Sequence, residues 1–118
     1  MTLQELKAYL LSKTESREDL PFGSDVLVFK VVNKIFALVS WEKTPMAISL
    51  KCDPERAMGL RIMFNGVTPG YHLNKDHWNT IVLDGSVPEP FLKDMIDESY
   101  RLVVKGLKKA DKERLSGE

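Results

Sequence analysis

A single cysteine, Cys52, is all that the sequence offers for disulfide formation, so an internal disulfide is excluded. One cysteine in 118 residues is typical of a protein from a reducing compartment. No apolar run approaches the roughly 18 residues that would cross a bilayer. The N-terminal segment also carries charges where a secretory signal peptide has a continuous apolar core. We therefore expect a cytoplasmic protein that does not associate with membranes.

The sequence has no net charge, because 17 lysines and arginines are matched by 17 aspartates and glutamates. This balance counts against strong non-specific binding to nucleic acid, which depends on basic groups at phosphates. The charge is nevertheless unevenly placed. Residues 101–114 hold six basic and two acidic residues, and residues 89–98 hold four acids and one lysine. Such a gradient along a helix complements the helix dipole, and it is also compatible with an anion-binding patch.

The chain also lacks a glycine-rich phosphate loop, an internal repeat and a linker. Without that loop, and without alternating strands and helices, a parallel nucleotide-binding sheet is not expected. The length suits one domain over residues 1–118, with a polar C-terminal tail at 108–118.

Three helices are predicted from their start signals. Thr2 and Glu5 have the spacing of a capping box. Asp53-Pro54 pairs an N-cap residue with a proline at the first helical position, and Pro88 opens the longest helix. The inward stripe predicted for that last helix is Phe91, Leu92, Met95, Ile96, Tyr100, Val103 and Leu107.

Strands are predicted where β-branched and aromatic residues cluster. VLVFKVV and IFALVS are joined by a two-residue turn at Asn33-Lys34, which is typical of a hairpin, and MAISLKC forms the third strand. YHL and HWNTIVL are predicted as short strands, whereas TESREDLPFGSD is predicted as a loop. The fold class is therefore α+β: an antiparallel sheet with helices packed on one face. The predicted order is helix, three-strand meander, helix, short strands and long helix.

The two histidines, His72 and His77, are the first candidates for chemistry. A zinc site needs three or four ligands around the ion, and no third or fourth ligand accompanies this pair, so no metal or cofactor is expected. Cys52 precedes a predicted helix, where a thiolate is favoured, but it also ends the apolar side of a strand, where a buried, inert thiol is common. We expect no catalytic residues and no enzyme.

Three segments of the sequence resemble a known family: SLKCDPERA at 49–57, PGYHLNKDHWNTIVLDGSVP at 69–88 and IDESYRLVVKGL at 96–107. They are similar to the MmcQ/YjbR family of small bacterial proteins. The resemblance implies a fold related to the frataxin/CyaY group, which agrees with the α+β prediction. The iron-binding acidic ridge of frataxins does not carry over, because the first helix offers only Glu5.

The resemblance also implies DNA binding, through a "double wing" arrangement in which strand-turn-strand projections flank a helix. The candidate wings are the turns at Asn33-Lys34 and at 41–45. The candidate nucleic-acid-binding residues are Lys34, Lys43, Lys75, His77, Trp78, Asn79 and Arg101.

Two further hypotheses stay open beside DNA. An adaptor or regulatory protein that binds another protein or a small molecule should expose an apolar or aromatic patch, expected near Trp41 or Trp78. An enzyme should have a concave pocket in which His77 meets an acid or Cys52. In each case we expect a monomer.

Overall fold

The computed structural model of the chain describes residues 1–20, 25–70 and 73–116. Four helices lie within these ranges: α1 (Leu3–Leu11), α2 (Pro54–Met63), α3 (Glu89–Lys105) and α4 (Lys109–Leu115). Six strands accompany them: β1 (Ser16–Asp19), β2 (Val26–Val31), β3 (Lys34–Ser40), β4 (Ala47–Lys51), β5 (Val67–Pro69) and β6 (Trp78–Val82).

Helices α1 and α2 begin where the predicted start signals place them. The Glu5 amide donates to the Thr2 hydroxyl at 3.1 Å, and the Thr2 amide donates to the Glu5 carboxylate at 2.8 Å, which completes the predicted capping box. Pro54 stands in the first turn of α2, where the missing N–H costs no hydrogen bond. Asp53 is the N-cap residue of α2 by backbone position, although its side chain makes no capping hydrogen bond.

All six strands join one antiparallel sheet in the order β1-β2-β3-β4-β6-β5, which confirms the predicted α+β class and the meander. The turn of the first predicted hairpin is displaced by one residue. Val31 pairs with Lys34, so Val32 and Asn33 form the turn, and Lys34 already belongs to β3. Val32 has φ 58°, which is unusual for a β-branched residue, and its side chain packs partly against the core.

Side-chain alternation divides the sheet into two faces. The helix face lies under α3 and contributes residues such as Val39, Ile48 and Ile81 to the core, all fully buried. The opposite face, called the outer face below, alternates with it. The outer face includes Val26, Val28, Leu38, Ser40, Ala47, Ser49, Lys51, Trp78, Thr80 and Val82.

Three further local predictions need correction. Residues 16–19, predicted as loop, form the edge strand β1, which pairs with β2 despite its polar sequence. A strand was expected at YHL, but Leu73 is not in a strand. Tyr71 and His72 lie outside the described residues. The short strand that pairs with β6 is Val67–Pro69 instead.

The third correction concerns the long helix α3. Its stripe faces inward at Leu92, Met95 and Ile96, but Phe91 is 43% exposed and rests against the Phe64 ring at the surface. Within the predicted polar tail at 108–118, residues 109–115 form the short helix α4. The Arg114 guanidinium donates two hydrogen bonds, of 3.0 and 3.1 Å, to the Glu15 carboxylate and so holds α4 to the turn before β1.

Within the described ranges, no helix combines the length and the apolar character needed to cross a bilayer.

Candidate functional site

A groove at one end of the sheet brings together two lysines and a tryptophan. Lys51, the last residue of β4, pairs with Trp78, the first residue of β6, and Lys34 begins the neighbouring strand β3. The groove has a volume of about 440 Å³ and is called the end groove below. Its lining residues are Asn33, Lys34, Ile35, Lys51, Trp78, Val103 and Gly106.

The two strands that carry Lys34 and Lys51 are joined by Ser99 of α3, which is completely buried. The pairing of β2 with β3 skips Phe36, because Phe29 pairs with Ala37 and Lys30 pairs with Ile35, which is the pattern of a β-bulge. The Ser99 hydroxyl donates to the Phe36 carbonyl at 2.6 Å and accepts the Lys51 amide at 2.9 Å. The same side chain therefore holds β3 and β4 at the end where Lys34 and Lys51 lie.

The turn that leads into Trp78 carries two more of the predicted DNA contacts. Lys75 and His77 are both exposed there. Gly70 closes the turn, because its amide donates to the Trp78 carbonyl at 2.8 Å. A Cβ at residue 70 would lie 2.7 Å from the Trp78 Cβ, so only glycine fits this approach.

Asn79, another of the predicted DNA contacts, has its side chain inside the protein. It is 2% exposed and points to the helix face. Its amide nitrogen donates to the Ala57 carbonyl at 3.2 Å, and its side-chain oxygen accepts Arg61 Nε at 2.7 Å. Arg61 also donates to the Lys75 carbonyl. Asn79 and Arg61 thus support the groove from behind.

Lys43 and Arg101 are not brought to the end groove. Lys43 follows the far end of β3, and the seven residues of that strand separate it from Lys34 by about 20 Å. Arg101 is exposed on α3, and its charge acts on Asp97, one turn earlier in the same helix. The two candidate wing turns therefore lie at opposite ends of one strand.

Cys52 has the environment of an inert thiol. It is 5% exposed, and burial together with the nearby Glu98 carboxylate raises its pKa to about 12. Glu98 is itself buried and forms a salt bridge with Arg56. His72 lies outside the described residues, and in the part of the chain that the structure covers no three metal-ligating side chains cluster.

A second concave feature lies on the outer face, and sequence reasoning missed it. It is a cavity of about 730 Å³, called the outer cavity below. Its lining residues are Asp25, Val26, Leu38, Ser40, Glu42, Lys43, Ala47, Ser49, Leu73 and Thr80. The register of four strands brings these residues together, and the hydrophobic pattern of a single strand does not reveal that register.

Exposed apolar side chains are found on α2 rather than near the tryptophans. Met58, Ile62 and Met63 are 62, 83 and 63% exposed, whereas Trp41 and Trp78 are half-buried. The patch expected near the tryptophans by the adaptor hypothesis is thus displaced to the surface of α2.

Comparison with known proteins gives one consistent result. The YjbR family model matches residues 11–102. The protein YjbR of Escherichia coli K12 is 36% identical over 104 residues, covering 88% of each chain, and YbdF of E. coli O157:H7 is 39% identical over 95 residues, covering 80% of this chain and 78% of its own.

Solved structures agree with the sequence relatives. A Deinococcus radiodurans protein with a DUF419 domain superposes with a TM-score of 0.91 at 40% identity, over 98% of this chain and 88% of the other. A Pseudomonas syringae protein superposes with a TM-score of 0.75 at 30% identity, over 86% of this chain and 98% of its own.

Proposed function

This chain belongs to the YjbR family, and on that premise we propose that it is a non-enzymatic DNA-binding module that contacts DNA through the end groove. The observation that carries the proposal is that Lys34, Lys51 and Trp78, from the adjacent strands β3, β4 and β6, line the same groove. Ammonium groups pair with phosphates, and an indole ring on a sheet offers a surface on which an unstacked base can lie.

The charge of the end groove supports this assignment. Its described lining residues include two lysines and no acid, although the chain as a whole is neutral. The C-terminal end of α3 also reaches the groove at Gly106 and brings partial negative charge with it. Lys105 in the last turn of α3 offsets that charge. The local balance is therefore positive, which a neutral total does not reveal.

The proposal of a binding module rather than an enzyme rests on Cys52. At neutral pH a thiol whose pKa is raised to about 12 stays protonated and is a poor nucleophile. Its side chain is also enclosed in the core, whereas His77, whose carbonyl accepts a hydrogen bond from the Cys52 amide at 2.7 Å, is exposed. The proposed site of action is the cytoplasm, and the proposed binding unit is the monomer.

Fluorescence anisotropy with labelled single-stranded and duplex DNA of mixed sequence, each at several salt concentrations, tests the proposal. The informative variant is Lys34→Glu with Lys51→Glu. Its matched control is Lys43→Glu with Arg101→Glu, which makes the same charge change away from the groove. Circular dichroism of all variants checks that the fold is intact.

We expect the groove variant to lose at least tenfold in affinity and the control to lose little. The slope of log affinity against log salt should fall by about 1.4 for single strands, since each neutralised phosphate contributes about 0.7. Trp78→Ala should weaken single-strand binding more than duplex binding if a base stacks on the ring. Equal losses in the groove and control variants, or no binding by the native protein at low salt, would overturn the proposal.

A further inference from the structure

We propose that the outer cavity is a binding site for a small organic molecule that has an apolar body and a neutral or positively charged polar group, with an amine as the best fit. This site is separate from the end groove, and none of its described lining residues belongs to that groove. Its volume of about 730 Å³ lies within the range of known small-molecule sites, roughly 300–1,000 Å³.

Small side chains on the central strands β3 and β4 leave room for the cavity on the outer face. Ala47, Ser49 and Ser40 project from β4 and β3 onto the outer face, beside Leu38 and Val26. The floor is therefore hydrogen-bonded sheet, which keeps its shape without a ligand. Because the site is already ordered, the protein loses less conformational entropy when a ligand binds.

Hydroxyl groups give the floor its polar centre. Ser49 Oγ and Thr80 Oγ1, on the paired strands β4 and β6, lie 2.8 Å apart and share one hydrogen bond. Whichever oxygen donates, the Ser49 hydroxyl keeps capacity for a further hydrogen bond. Apolar walls with a few convergent hydroxyls are the usual composition of a small-molecule pocket.

The charges at the rim select the type of ligand. Asp25 and Glu42 carry two negative charges and Lys43 one positive charge, and all three are exposed. The described lining residues therefore sum to one negative charge, the opposite of the end groove. This field disfavours phosphates and carboxylates and favours an amine near the rim.

A matched series of indoles separates these effects by NMR titration of the isotope-labelled protein. Tryptamine, tryptophol and indole-3-acetate share one apolar body and carry a positive, a neutral and a negative group. We expect tryptamine to bind with a dissociation constant of about 1 mM or below, as suits a ligand of this size. Tryptophol should bind more weakly, and indole-3-acetate at least threefold more weakly than tryptamine.

Two variants locate the binding. Ser49→Leu fills the centre of the cavity and should weaken all three ligands at least fivefold. Asp25→Asn with Glu42→Gln keeps the cavity but should erase the preference for tryptamine over indole-3-acetate. The groove variant Lys34→Glu with Lys51→Glu is the control, and it should leave tryptamine binding unchanged.

The amide resonances of Ser40, Ser49 and Thr80 report on the site directly. They should shift during the titration, whereas the resonances of α2 and α4 should not. Should Ser49→Leu fail to fold, the rim variant and this shift pattern still decide the matter. Binding that is absent at about 10 mM, that shifts amides elsewhere, or that is insensitive to the rim charges would overturn the proposal.

Discussion

Arg61 Nε donates to Asn79 Oδ1 at 2.7 Å, and this hydrogen bond ties helix α2 to strand β6 directly behind the end groove. Asn79 has the amide group that a base-reading residue would need, but the oxygen and the nitrogen of that group are both hydrogen-bonded within the protein. The neighbouring residue, Trp78, points the opposite way because side chains alternate along a strand. Asn79 is therefore bonded within the protein, and the next residue back, Trp78, lines the groove.

Replacing Asn79 by alanine should destabilise the protein by about 1–3 kcal/mol, because the Ala57 carbonyl and Arg61 Nε each lose a buried partner. Urea unfolding followed by circular dichroism measures the change. The exposed Asn65→Ala is the control and should have little effect. A near-neutral Asn79→Ala with weakened DNA binding would instead mean that Asn79 reaches the ligand.

Ser99→Ala should cost a similar amount, about 1–3 kcal/mol, since it leaves the Phe36 carbonyl and the Lys51 amide unpaired in the interior. Amide hydrogen exchange gives the sharper measurement. Protection of the Lys51 amide should fall more than that of Ile48, which keeps its ladder position in β4. Equal loss of protection at both amides would show that the hydroxyl has no local role at the bulge.

Cys52 should resist thiol reagents while the protein is folded. Burial, together with the Glu98 carboxylate, raises its pKa to about 12, so little thiolate is present at neutral pH. Labelling with Ellman's reagent at pH 8 should be far slower than for the same chain in guanidinium chloride. Native labelling as fast as that of the unfolded chain would contradict the buried position.

Asp97 should make stability depend on pH on the acid side. Burial raises the pKa of Asp97, but hydrogen bonds from Lys13 and Tyr9 outweigh burial and hold that pKa below its usual value. A lowered folded-state pKa gives stability that is present above about pH 4 and is lost as pH falls through the folded pKa.

Asp97→Asn should therefore lower the free energy of unfolding at pH 7 and change it much less near pH 2. Thermal unfolding across that range measures the difference. Asp94→Asn removes the same charge from an exposed position of α3 and serves as the control. A deficit for Asp97→Asn that is the same at both pH values would rule out the linkage.

The predictable part of the fold came from local signals. The capping box at Thr2 and the proline at position 54 placed two helix starts, and the β-branched runs placed β2, β3 and β4. Strand β1 escaped prediction because SRED has no apolar alternation. Its pairing with β2 comes from tertiary context, including the salt bridge between Lys30 and Asp19.

The candidate site was less predictable because it depends on register. Lys34 and Trp78 were chosen from sequence, but Lys51 joins them only through the pairing of β4 with β6. The two candidate wing turns are far apart because successive turns of an antiparallel meander lie at opposite ends of the strands. The same rule accounts for two separate concave sites, one at each end of β3.

The division of the sheet into a helix face and an outer face has a consequence for how such proteins can diverge. Residues that point under α3 are fixed by packing, whereas Ser40, Ser49 and Lys51 on the outer face touch little of the core. Mutation can therefore rewrite the chemistry of the outer face while the scaffold stays intact. One inherited frame could in this way serve descendants with different ligands, and a shared ancestry would then give little guidance to the partner that each one recognises.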